Sequence, residues 1–110
     1  MMNLTFLTSS VEHEGKMLHC GVLELENAVF TLVWEGEQAK LGSTTVTLPG
    51  MASTQLLGDR DLLLGRVVGM HLATKFNKMA LVSTHLSQGY SESIGKKLLD
   101  LIKRITEKKT

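Results

Sequence analysis

Along its first half the chain alternates apolar and polar positions with a period of two, which predicts strands. "NLTFLTS" (3–9) sets Leu4 and Phe6 on one face against Thr5, Leu7 and Ser9 on the other. "VEHEGK" (11–16) is polar, contains a glycine, and suits a hairpin turn. "MLHCGVLEL" (17–25) predicts a second strand, and "ENA" a tight connection with Asn27 suited to a left-handed position. "VFTLVW" (29–34), dense in β-branched and aromatic residues, predicts a third. "EGEQAKLG" (35–42) reads as a loop bounded by glycines. "STTVTL" (43–48) predicts a fourth strand, stopped by Pro49.

The period then changes. From Asp61 to Asn77, Leu64, Val68, Leu72 and Phe76 recur every four residues with Val67 and Ala73 beside them, which predicts a helix. "MALVSTHL" (79–86) predicts a strand and "SQGY" a turn. Ser91 is placed to cap a last helix whose stripe is Ile94, Leu98, Leu101, Ile102 and Ile105. The order β-β-β-β-α-β-α predicts one α+β domain over 1–110, a largely antiparallel sheet with two helices packed on one face.

The strands are apolar on both sides. Ala28, Phe30, Leu32 and Trp34 oppose Val29 and Val33; Met79 and Leu81 oppose Ala80 and Val82; Met17, Leu23 and Leu25 oppose Leu18, Cys20 and Val22. A sheet with one wet face would alternate cleanly. Five strands at ~4.8 Å span about 24 Å, and two helices of ~10 Å diameter cover about one such face. Either the sheet folds on itself as a sandwich, or a second protein covers the remaining face; the second is favoured here. The residues expected to pair with that protein are Phe30, Leu32 and Trp34, or on the opposite face Val29 and Val33. Parity alone does not choose between them.

Composition narrows the function. The 110 residues are 43% hydrophobic with a formal net charge of +1, enough for one core and without a global pull toward nucleic acid or membrane. The single cysteine, Cys20, cannot form an internal disulfide and favours a reducing compartment. No apolar run approaches the ~20 residues that span a bilayer, and Met1–Ser10 does not read as a signal peptide. A cytoplasmic or nuclear protein is the expectation.

Candidate chemistry is sparse. "TQLLGDRDLLLG" (54–65) has one glycine in its turn, and Asp59 and Asp61 would repel a phosphate. The favoured reading is architectural: Gly58 supplies a permissive turn, while Asp59 or Asp61 caps the helix at its positive end. Gly65, Gly69 and Ala73 form a small-residue ridge on that helix, which asks for close approach of another backbone. His19 and Cys20 point to opposite faces of one strand and cannot chelate together. No nucleophile elbow surrounds any serine, so no catalytic site, metal or cofactor is expected. The basic C-terminal helix (Lys96, Lys97, Lys103, Arg104, Lys108, Lys109) keeps a small nucleic-acid-binding α+β module as an alternative, although no aromatic platform interleaves those cations. A nucleotide enzyme built on the 54–61 turn is a third reading.

"STQLLGD" (53–59), a helix ending in "LATKFNK" (72–78), "MALVSTHL" (79–86), a last amphipathic helix and "NAVFTLVWEG" (27–36) together resemble the proteasome assembly chaperone 4 family over about residues 16–105. This chain departs from the family in lacking a longer Ser/Thr-rich connection after Gly58-Asp59, since Arg60 and Asp61 lead straight into Leu62, and in a shorter N-terminal region. The resemblance implies a non-enzymatic chaperone. Such a protein pairs with assembly chaperone 3 as a heterodimer, docks on alpha-type subunits of the 20S proteasome, promotes alpha-ring formation, and leaves as beta-type subunits arrive.

Overall fold

A computed structural model of the chain describes residues 4–58, 62–87 and 91–107. Its elements are β1 (Leu7–His13), β2 (Lys16–Glu24), β3 (Ala28–Glu35), β4 (Ser43–Thr47), β5 (Ser53–Leu57), α1 (Leu62–Phe76), β6 (Met79–His85) and α2 (Glu92–Glu107). The six strands form one sheet in the order β1-β2-β3-β6-β4-β5. Every pairing is antiparallel except β3 with β6. The fold is α+β, a mostly antiparallel sheet with both helices on one face, as the periodicity predicts.

Three details differ from the sequence reading. The first strand begins and ends later, at Leu7–His13, because two residues suffice for its turn: Glu14 and Gly15 both take positive φ (51° and 80°), the geometry that matches hairpin twist. Secondly, β5 is an additional strand, so the order is β-β-β-β-β-α-β-α. Pro49 does end β4, but as the second residue of a turn in which Gly50 has φ 72° and the Met51 N–H donates to the Leu48 carbonyl at 3.0 Å. That turn sends the chain back as an edge strand. Thirdly, β6 enters the middle of the sheet, between β3 and β4.

The core lies between sheet and helices. Leu18, Cys20, Val29, Val33 and Val82 from the strands and Leu64, Val68, Leu72, Leu98 and Ile102 from the helices are wholly buried. α1 lies over β4 and β6, and α2 over β1 and β2. Of the predicted α1 stripe, Leu64, Val68, Leu72 and Ala73 are buried and Phe76 packs at the margin, while Val67 turns partly outward. The ridge of Gly65 and Gly69 meets side chains rather than the expected backbone. A Cβ on Gly65 would lie 2.9 Å from Thr45 Oγ1, and one on Gly69 would lie 2.5 Å from Thr47 Oγ1. The helix can sit this low on β4 only because nothing projects there.

The ends of the helices are tied as the residue types allow. Ser91 caps α2: its Oγ accepts from the Ile94 N–H at 3.2 Å. Asn77 closes α1 with φ 54°. The next residue, Lys78, donates to Glu24 at 2.7 Å and to the Leu25 carbonyl at 2.8 Å. The Lys-Phe-Asn-Lys string thus ends a helix and fastens it to β2.

Candidate interaction surface

The register sorts the sheet into two faces. Residues directly paired across strands share a face, so Cys20, Val33 and Thr84 belong together, as do Val22, Thr31, Val82 and Thr45. This face lies under the helices. Val29 and Val33 are 0% exposed there, so those two expected pairing residues serve the core and are closed to any other protein.

Phe30, Leu32 and Trp34 take the other face, with Leu23 and His19 on β2, Leu81 on β6 and Val46 on β4 as their cross-strand neighbours. All seven are partly exposed. No described strand or helix covers them: the six strands form a single sheet and both helices pack on its other side. The sandwich alternative is therefore not what these residues form. The Cα dimensions, 37 × 29 × 22 Å, agree with two layers. A helix layer and a sheet layer, each about 10 Å thick, fill the shortest of these.

Two aromatic contacts organise the uncovered face. Phe6 lies edge-on to Phe30 with ring centroids 5.9 Å apart. Its Cδ1 sits 3.3 Å from the point a Gly21 Cβ would occupy, which explains the glycine within β2. Toward the other end His19 stacks on Trp34, centroids 5.3 Å apart and planes at 23°. Ser10 Oγ and His19 Nδ1, 2.6 Å apart, share a hydrogen bond that sets the ring's position. Trp34 Nε1 is occluded and has no hydrogen-bond partner within the described chain. A partly exposed indole fixed by a stacked neighbour is an anchor of the kind that dominates protein interfaces.

Beyond Trp34 the strands end, and Met17 stands exposed beside them. A groove of about 640 Å³ is lined by Lys16, Met17, His19, Glu35, Gly36 and Glu37. Burial would raise the Glu35 carboxyl, but hydrogen bonds from the Ser87 N–H and hydroxyl, with the Lys16 ammonium 3.7 Å away, outweigh it and hold the group below the usual carboxylate range. By register Glu35 and Lys16 share the helix side with Leu18 and His13, so this ion-paired cluster closes the strand ends rather than rimming the uncovered face. At the opposite margin Leu56 and Leu57 at the β5 edge are 53% and 52% exposed. A register shift there leaves Leu56 as the extra residue between Gln55, opposite Thr45, and Leu57, opposite Thr44.

The remaining expected site residues fall into place individually. Gly58 has φ 75°, and a Cβ there would lie 2.6 Å from Ser43 Oγ, so the position requires glycine on two counts. Asp59 and Asp61 lie outside the described residues. Cys20 is buried and burial pushes its thiol up to about 12, so it is an inert core residue. Among the described residues no three His, Cys, Asp or Glu side chains gather to hold a metal, and no helix is long and apolar enough to cross a membrane. On α2, Lys96, Lys103 and Arg104 are exposed, while the Lys97 ammonium donates to the Glu12 carbonyl at 2.9 Å and guards the β1 edge.

The two-layer α+β fold has a solved counterpart. A chain in the crystal structure of a novel chaperone complex for yeast 20S proteasome assembly superposes on 94% of this chain and 98% of its own, with a TM-score of 0.66 at 18% identity. At that identity the likeness establishes the fold. No protein-family model and no curated protein matches the sequence.

Proposed function

We propose that this protein is a non-enzymatic chaperone of 20S proteasome assembly. It pairs through its uncovered sheet face with a second small α+β chaperone, which in the family it resembles is assembly chaperone 3. The pair then holds an alpha-type proteasome subunit, promotes alpha-ring formation, and dissociates. The observation that carries this reading is the apolar face of Phe30, Leu32, Trp34 and Leu81, left bare on a fold shared with a chain of a yeast proteasome-assembly chaperone complex. The function works through binding energy alone, in the cytoplasm or nucleus, with no cofactor and no catalytic step.

Physical constraints suit that role. A standard interface buries about 800 Å² on each partner, and a molecule of 37 × 29 Å outline has a face of that size. A chaperone must also let go. A face centred on one aromatic anchor supports specific pairing with few residues carrying the affinity. The test is reconstitution. The chain is co-expressed with assembly chaperone 3, and the purified pair is mixed with single alpha-type subunits, both steps read by size-exclusion chromatography with light scattering. A 1:1 pair that shifts one alpha-type subunit is expected. A chain that stays monomeric beside the chaperone, or a pair that shifts none of the alpha-type subunits, rejects the reading.

A further inference from the structure

The bare sheet is not the only apolar surface left open. α1 is apolar on nearly every side (LLLGRVVGMHLATKF), and a helix of that kind is normally buried all round. Here only its inner half is covered. Leu63 and Met70 are 51% and 54% exposed and Val67 is partly so. They stand at i, i+4 and i+7, one continuous row on the side of the molecule away from the bare sheet. Met51, from the β4–β5 turn, is 60% exposed and lines a small pocket together with Met70, widening the patch.

Charge limits what can lie there. α1 has no acidic residue in its whole length. Arg66, exposed within the row, takes part in none of the ion pairs among the described residues. His71 and Lys75 flank the row, and Lys103 of α2 acts on His71 electrostatically. Among the described residues of α1, the charges around the apolar ridge are therefore all cationic, while α2 beside it carries exposed Asp100 among its lysines. By contrast α2 buries its apolar stripe completely and turns a polar side outward. The exposed ridge belongs to α1 alone.

We propose that the outer face of α1, with Leu63, Val67 and Met70 around Arg66, is a second docking surface. Its occupant is an amphipathic helix with acidic residues along its margin, presented by the cargo of the assembly reaction proposed above. The inference rests on that reading and divides its labour: the sheet face holds the partner chaperone, and the helix face holds the cargo. A helix fits because a row at i, i+4 and i+7 is a ridge that seats in the groove of another helix. The two methionines can adjust to its side chains. Acidic residues fit because Arg66, Lys75 and Lys103 would otherwise face a partner without counter-charge. Two surfaces on opposite sides let both partners bind at once without competing.

The experiment uses the purified pair of chaperones and the alpha-type subunit it captures. Two variants are compared with the unaltered chain: the double change Leu63→Glu and Met70→Glu, and the single change Arg66→Glu. All three positions face solvent, so unaltered melting is expected. The double variant should pair with the partner chaperone within twofold of normal and lose at least tenfold in affinity for the alpha-type subunit. Arg66→Glu should weaken the same step and flatten its dependence on salt. Unchanged capture by the double variant overturns the inference while leaving the proposed function standing. Loss of chaperone pairing in the double variant also overturns it, since the ridge would then serve the pair. So does a homodimer of the isolated chain that the double variant abolishes. If the unaltered pair captures no alpha-type subunit, the functional reading and this inference fall together.

Discussion

Val33 and Trp34 are neighbours in sequence and opposites in environment. Val33 is wholly buried beneath the helices, and Trp34 lies stacked on His19 on the side no element covers. Under the proposed function the two positions separate fold from association in a single strand. Val33→Ala should destabilise the isolated chain by about 1–3 kcal/mol, through lost transfer energy and the cavity left behind. Trp34→Ala should cost the isolated chain less and weaken pairing at least tenfold. Denaturant melts of the single chain and titration against the proposed partner chaperone measure the two effects. Equal loss of stability in both variants, with pairing intact for Trp34→Ala, would contradict this assignment.

Gly58 combines φ 75° with the Ser43 side chain across the turn. A β-branched residue meets both obstacles, so Gly58→Val should cost on the order of 1–3 kcal/mol. Gly36 has φ 88° and open space where a Cβ would stand. Gly36→Val should therefore be the milder change. Urea midpoints of the two variants check the ranking.

On an exposed helix, Gly→Ala stabilises by about 1 kcal/mol. Gly69→Ala should reverse that sign, because Thr47 Oγ1 lies 2.5 Å from the new methyl position. Thr47→Ala removes the obstacle and with it the Ser53 hydrogen bond. The double variant should then be more stable than the sum of its single effects predicts, a coupling of on the order of 1 kcal/mol. Additive effects would mean that α1 lifts off β4 freely.

His71 responds to pH through its surroundings. Burial first, then the charges of Lys103 and Lys75, hold its imidazole below the usual histidine range. A histidine with a depressed folded-state pKa binds fewer protons when folded than when unfolded. Its contribution to stability is thus full above the unfolded value near 6.5 and declines as pH falls toward the folded value. Melting temperature should drop between pH 7.5 and 5.5. His71→Gln, which cannot be protonated, should show a shallower drop over the same window.

Much of this arrangement is legible in the residues. The opposing parities of 17–25, 28–34 and 79–84, the Ser91 cap, the α2 stripe and the positive φ at Gly58 all follow from local rules, and local rules suffice for them. The choice between Val29/Val33 and Phe30/Leu32/Trp34 does not follow from such rules. A strand apolar on both sides says only that both are covered or coverable; which side receives the helices depends on where α1 and α2 cross. β5 escapes notice for a related reason. An edge strand exposed at nearly every position has no burial contrast to write into its sequence, and "STQLL" reads as the approach to a helix. The Pro49-Gly50 turn is the signal that finds it. Gly65 and Gly69 announce a close approach, but what approaches is Thr45 and Thr47, two strands' worth of chain earlier.

The position of β6 has a consequence for how the molecule comes into being. Residues 7–35 can meander into three strands as they emerge, and residues 43–57 into a hairpin, yet neither fragment touches the other along a shared edge. Met79–His85 must slide between them, pairing Ala28 with Met79 on one side and Thr47 with Ala80 on the other. Until then two open sheet edges await the same strand, each free to recruit a foreign one. Without Met79–His85 the strands would form two separate sheet fragments rather than a smaller version of this sheet. Pairings this remote in sequence also close late and slowly. A molecule that waits on its own seventh element before its sheet is whole carries unpaired edges throughout that wait.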